Sequence, residues 1–334
     1  MNLVLDKWSS LAFWRFVYPT DRAPGQATTI PAQCECAFAR EDVLKLKPAW
    51  LTEAILTCIG GRIDALAFDY DQRRSSCDHV VRGLLHQPKE NSFYLGNDGV
   101  YIASPGFIFL LMASELSFVQ LLALGYELCG YYSFNPLCER GIRKRKVPLT
   151  TVAQLDSYVQ RASGSRGCAK ARKALAFMAD GSASPMETEC YLLISLPFRY
   201  GGYGMDFFSL NFPIPLNETA ARIADRDVCY GDICCRDLMI DIEYQGKYDH
   251  ANRIDYDDDR ARINGIKEMG YEVIELTSGQ VGNLQVFEDI LLRVAKKAKR
   301  RIDKRYLGAT PERISLRNTL FDWNAAGGYL SHFR

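Results

Sequence analysis

Asp232 and Glu243 are the two residues of this sequence whose type and spacing point most directly to chemistry. Leu238 to Gln245 alternates like a strand, with Ile240, Ile242 and Tyr244 on one face and Asp241, Glu243 and Gln245 on the other. Asp232-Ile233-Cys234-Cys235 reads as a shorter strand before it, and Arg236-Asp237 as the turn between them. That hairpin brings Asp232 beside Glu243. Carboxylates so close raise one another's pKa and call for a compensating cation. A hard ion such as Mg²⁺ (or Mn²⁺) is held by one or two carboxylates together with phosphate oxygens and water. Asp232 and Glu243 are therefore the expected metal ligands, placing an ion that activates water against a phosphodiester. Acids eleven residues apart are also common, and a polar strand face is usually just wet.

Other candidates surround this pair. Ser184-Pro185-Met186-Glu187 starts a helix, with Ser at the N-cap, Pro at the first helical position and Glu closing a capping box. His250 titrates near neutral pH and suits a general acid or base, although beside Asp249 it also reads as a solvated loop residue. Asp255, Asp257, Asp258 and Asp259 lack the glycine and terminal glutamate of a calcium loop and fit an acidic helix N-terminus. Cys34-Glu-Cys36 and Cys77-Asp-His79 do not have zinc-knuckle spacing, and Cys234 with Cys235 reads as core thiols.

Elements able to position these residues follow in order. A helix from Ser184 leads into the apolar segment Tyr191 to Leu196, and Tyr203 to Pro215 is a strand and loop. After the hairpin come a helix from Asp255 to Met269 stopped by Gly270, a strand from Tyr271 to Leu276, and a long helix from Leu284 to Arg305. The expected fold is α/β, a mixed sheet flanked by helices in the C-terminal half, with a mainly helical or mixed N-terminal domain. Gly141 to Pro148 reads as a basic linker, giving domains 1–148 and 149–305 and a tail 306–334. Phe107 to Leu124 is the longest apolar run and, interrupted by Glu115 and Gln120, reads as one buried helix rather than a membrane span.

Composition narrows the class. With 41 basic and 40 acidic residues the total charge is uninformative, but its distribution is not. Arg140 to Lys173 carries ten bases and one acid; Asp225 to Asp259 carries eleven acids and four bases. Arg143, Lys144, Arg145 and Lys146, followed by Lys170 and Lys173, are the expected DNA contacts. Eleven cysteines without regular spacing and no signal-peptide pattern at the N-terminus suggest reduced thiols and a cytoplasmic protein.

The segment from about Gly164 to Val281 resembles the very-short-patch-repair-like endonuclease domains of actinobacteria, in the PD-(D/E)XK, or restriction-endonuclease-like, superfamily. The likeness runs through Ser184 to Thr188 with Glu187, then Asp232, Glu243-Tyr244-Gln245-Gly246, His250, Asp259-Arg260, Gly270-Tyr271 and Val273-Ile274. Upstream, Ser104-Pro105, Phe109-Leu110 and Gly125 to Gly130 are similar to coriobacterial members. The resemblance implies a Mg²⁺-dependent endonuclease that nicks or cleaves DNA, with Glu187, Asp232, Glu243, Gln245 and His250 as catalytic residues. Gln245 stands where these domains more often carry Asp and the wider superfamily Lys, and Asp241 where the family is usually small and apolar. The alternative is a nuclease fold with a weakened site that serves only to bind or regulate.

Overall fold

The computed structural model of the protein describes residues 1–30, 34–84, 88–96, 98–246 and 253–329. It divides into two compact units, Met1–Asp180 together with the segment from Asp322, and Gly181–Phe321. Both are α/β.

The first unit runs β1 (Val4–Leu5), α1 (Lys7–Ala12), a π-helical turn (Phe13–Val17), α2 (Arg40–Lys45), α3 (Glu53–Cys58), β2 (Ile63–Ala67), β3 (Arg74–Ser75), β4 (His79–Gly83), β5 (Phe93–Leu95), β6 (Tyr101–Ala103), α4 (Pro105–Met112), α5 (Phe118–Leu128), β7 (Tyr132–Phe134), β8 (Ile142–Lys144), α6 (Val152–Arg161) and α7 (Cys168–Leu175). Six strands form a mixed sheet in the order β3-β4-β2-β1-β6-β5, and β7 pairs with β8 separately. Its central strand β2, Ile-Asp-Ala-Leu-Ala, is buried throughout, as a strand covered on both faces must be. The Arg15 guanidinium forks onto Glu127 at 2.8 and 2.6 Å, both groups buried. Losing either partner would strand a buried charge. Arg82 bridges Asp6 and Asp64 at 2.9 and 2.8 Å, and burial still pushes the Asp6 carboxyl up to about 7.

Three expectations fail here. The single helix over Phe107 to Leu124 is two, α4 and α5. The hydroxyl of Ser117 accepts from Gln120 N while Ser117 N donates to the Gln120 side chain, a capping box that starts a new helix inside an apolar run. Nor is the basic segment 141–148 a linker. Ile142–Lys144 pairs with Tyr132–Phe134, and α6 and α7 pack on α4 and α5, so the boundary falls after Asp180. Finally, the expected tail 306–334 carries a helix among its described residues, α13 (Pro311–Ala325), with Arg313 and Arg317 buried.

The second unit runs α8 (Pro185–Ser195), β9 (Ser209–Pro215), α9 (Glu218–Ala224), β10 (Val228–Cys235), β11 (Ile240–Gln245), α10 (Arg253–Glu268), β12 (Glu272–Thr277), α11 (Ser278–Gly282) and α12 (Leu284–Lys297), and then enters α13. Strands β9, β10 and β11 form an antiparallel meander, and β12 joins parallel to β11 after the α10 crossover, giving the order β12-β11-β10-β9. Gly270, at φ +88°, ends the turn after α10. Ile214, Cys229 and Cys234 of the sheet pack with Ala224 of α9, Ile266 of α10 and Tyr271. On the opposite face Ile233 and Ile242 are also buried, so the sheet is covered on both sides.

Candidate active site

The site is assembled by α8, the β10–β11 hairpin and α10. In α8 the Ser184 hydroxyl accepts from Glu187 N at 3.1 Å, and Pro185 occupies the first turn. The expected capping box is only half made. The Glu187 carboxylate passes Ser184 and accepts from Ala183 N at 2.8 Å. Burial raises its pKa to about 7, against the pull of those donors, and the negative charge of Glu243 adds to the rise.

Across the hairpin Ile233 faces Ile242, Cys234 faces Asp241 and Cys235 faces Ile240. The same register carried one rung further sets Asp232 opposite Glu243, and directly opposed residues share a face. Asp232 accepts from Tyr244 N at 3.1 Å and keeps part of its surface open to solvent. Its pKa is well above the ordinary carboxylate range, through desolvation and then the charges of Glu243 and Glu187. Three carboxylates therefore lie within electrostatic reach of one another.

The compensating cation is one the sequence reading missed. Arg262 of α10 forks onto the fully buried Glu243, Nη1 to Oε1 at 2.8 Å and Nη2 to Oε2 at 2.5 Å. It also donates to Asp259 Oδ1 at 2.7 and 3.1 Å and to the Tyr230 carbonyl at 2.8 Å. The available signal was its spacing from Asp259, three residues apart and so on one helix face. Gln245 donates to the other Asp259 oxygen at 3.4 Å, which draws Asp259 into the site and engages the amide.

Asp241 was also underread. It is wholly buried, and no donor reaches either of its oxygens among the described residues. Burial, then the neighbouring Glu243 charge, pushes it up to about 9, so it carries a proton at neutral pH. A Cβ on Gly231 would lie 2.4 Å from Asp241 Oδ1, which requires glycine there. The β9–β10 ladder is irregular at this point. Its rungs pass from Gly231–Phe212 to Ile233–Leu210, and the intervening Asn211 has φ +47°.

The remaining candidates are dispersed. His250 lies outside the described residues. Asp257 and Asp258 are exposed on the first turns of α10, where Asp258 pairs with Arg226. All six expected DNA contacts belong to the first unit. Arg145 is a correction: it is buried, donating to the Pro19 and Val147 carbonyls at 2.9 and 3.2 Å, so backbone oxygens use the guanidinium meant for phosphate. Arg143 donates to the Tyr18 carbonyl at 3.0 Å, and Lys170 to the Leu116 carbonyl at 2.8 Å. Lys144 and Lys146 are exposed, and the Lys173 ammonium lies 5.1 Å from the Phe118 ring centre.

No family model, curated protein or solved structure matches this chain. The site is therefore read on its own geometry. Among the described residues no three His, Cys, Asp or Glu side chains are gathered as a coordinating cluster. Asp232 and Glu243 nevertheless suit a hard ion that takes two carboxylates and completes its shell with water and phosphate. Several acids face one guanidinium, and each carboxylate oxygen has a second lone pair. No helix among the described residues is long and apolar enough to cross a membrane.

Proposed function

We propose that residues 181–321 are a metal-dependent nuclease unit of the restriction-endonuclease-like kind, hydrolysing phosphodiester bonds in DNA. The observation that carries the reading is the placement of Asp232 opposite Glu243 with Glu187 in electrostatic reach, a surplus of negative charge that one arginine only partly offsets. The order α8, β9, α9, β10, β11, α10, β12, with three antiparallel strands and a fourth added parallel after a helical crossover, supports it. Asp232 and Glu243 would hold the ion, Mg²⁺ or Mn²⁺, which when bound polarises a phosphate and lowers the pKa of water. Arg262 orients Glu243 through its two-pronged contact. Glu187, with its pKa brought near neutral, can give or take a proton at its carboxylate.

The test is nicking of supercoiled plasmid with Mg²⁺ or Mn²⁺, comparing wild type with Asp232→Asn and Glu243→Gln. Loss of nicking in both variants supports the proposal; equal activity in all three proteins removes it. A second reading, a nuclease fold that binds nucleic acid without cutting, is favoured by Gln245, which brings no charge and is tied to Asp259. Calorimetric titration with Mn²⁺ separates the two, since only the enzyme needs binding that Asp232→Asn abolishes.

A further inference from the structure

A second feature of the same unit lies in other residues. Phe198 and Tyr306 stack with centroids 4.5 Å apart and planes 9° from parallel. They line a cleft of about 420 Å³, within the size range of small-ligand sites. Arg199 and Arg305, both exposed, line the same cleft, and the Arg305 guanidinium sits 4.9 Å from the Tyr306 ring centre. The cleft adjoins the segment Lys296 to Arg305, which has seven basic residues in ten positions. The end of α12 presents that segment outward: Lys299 takes φ +53° and Arg300 N returns to Ala295 O at 2.9 Å, closing the helix.

Some of this charge is neutralised locally. Lys297 pairs with Glu272, Arg300 with Asp206 and Arg305 with Asp303. Lys296, Lys299, Arg301, Lys304 and Arg199 have no ion-pair partner among the described residues, and Glu312 is the one acid lining the cleft. By itself such a run is a solvated helix face or a phosphate-contacting helix end. The aromatic pair beside it changes the reading, because a merely soluble surface has no use for half-exposed stacked rings.

We propose that this cleft binds single-stranded nucleic acid, with an unpaired base against the Phe198–Tyr306 pair and flanking phosphates on Arg199 and Arg305. An aromatic platform beside a cationic track is what a sequence-tolerant single-strand site requires, since every base has a π-face and every linkage a charge. Duplex fits less well, its bases being already stacked. An acidic peptide would satisfy the cations and leave the rings unused. The inference rests on the nuclease reading for its choice of polymer and on none of its residues.

The experiment is fluorescence anisotropy of the full chain with a labelled oligothymidylate in EDTA, where no cutting occurs. Wild type should bind. Arg199→Glu/Arg305→Glu should bind at least about tenfold more weakly, with a log–log salt dependence shallower by about 1.4, the loss of two single-strand phosphate contacts. Tyr306→Ala should weaken binding by about tenfold, whereas Tyr306→Phe, which keeps the ring, should not. No binding, or binding indifferent to the double charge reversal, overturns the proposal. So does equal competition by a duplex of the same length, or by polyglutamate at equal charge, because the surface would then select anions and not bases. Arginine-dependent binding without any plasmid nicking would retain this inference and discard the hydrolytic one.

Discussion

Arg262→Met tests the logic of the carboxylate cluster most directly. In the native protein Glu243 is completely enclosed and both its oxygens are held by one guanidinium. Methionine keeps much of the side-chain volume and removes the charge. Breaking a buried pair from one side costs about 3–5 kcal/mol, because the remaining ion is left in a poor solvent. The Tyr230 carbonyl also loses its donor, a further contribution of roughly 1 kcal/mol. Arg262 is itself half-buried, so water can enter and soften the loss. About 4 kcal/mol is the expected total, a large part of the roughly 5–15 kcal/mol that holds a domain together. With a urea dependence of about 2 kcal/mol per molar, the unfolding midpoint should fall by about 2 M.

The assay is equilibrium urea unfolding at pH 7 in EDTA, followed by far-ultraviolet circular dichroism. The protein has four tryptophans, Trp8, Trp14, Trp50 and Trp323, all in the first unit, so their emission serves as a separate record of that unit. Adding Glu243→Gln to Arg262→Met should restore at least half of the loss, since no uncompensated ion remains. In a parallel titration without EDTA, Mn²⁺ should stabilise Arg262→Met more than wild type, a bound cation replacing the missing one. A midpoint shift under about 0.5 M, equivalent to roughly 1 kcal/mol, would refute the reasoning, as would a double variant no more stable than the single.

Further predictions concern the same face. Asp241 has a folded pKa near 9 against an ordinary 3.8, so the native state holds its proton more tightly and the wild type loses stability as pH rises through that window. Asp241→Asn has no such proton, and between pH 5 and pH 8 its unfolding free energy should gain on wild type by up to about 4 kcal/mol, three pH units at about 1.36 kcal/mol each; parallel profiles would count against a protonated Asp241. Gly231→Ala should destabilise by about 1–3 kcal/mol by overpacking, with much of the loss recovered in Gly231→Ala/Asp241→Ala, measured by urea unfolding. Ser184→Ala should cost about 1 kcal/mol through loss of the α8 cap, measured the same way; no change would mean that the Glu187 amide finds another acceptor.

The sequence by itself determined the local features. Alternation put Asp241, Glu243 and Gln245 on one strand face, the Arg236-Asp237 turn set the hairpin, and Ser184-Pro185 started α8, each a matter of a few neighbouring residues. It read through the Ser117 capping box because the apolar run around it continues in helical spacing. Only the tertiary structure decided what neutralises the site. Arg262 reaches Glu243 across nineteen residues, and Gly231 is fixed by a carboxylate ten positions away. Burial likewise separated Arg145, enclosed against carbonyls, from Lys144 and Lys146 beside it in the same basic run. Charge and spacing are properties of the chain, whereas the solvent around a charge, and hence its pKa and its partner, is set by what the fold packs against it.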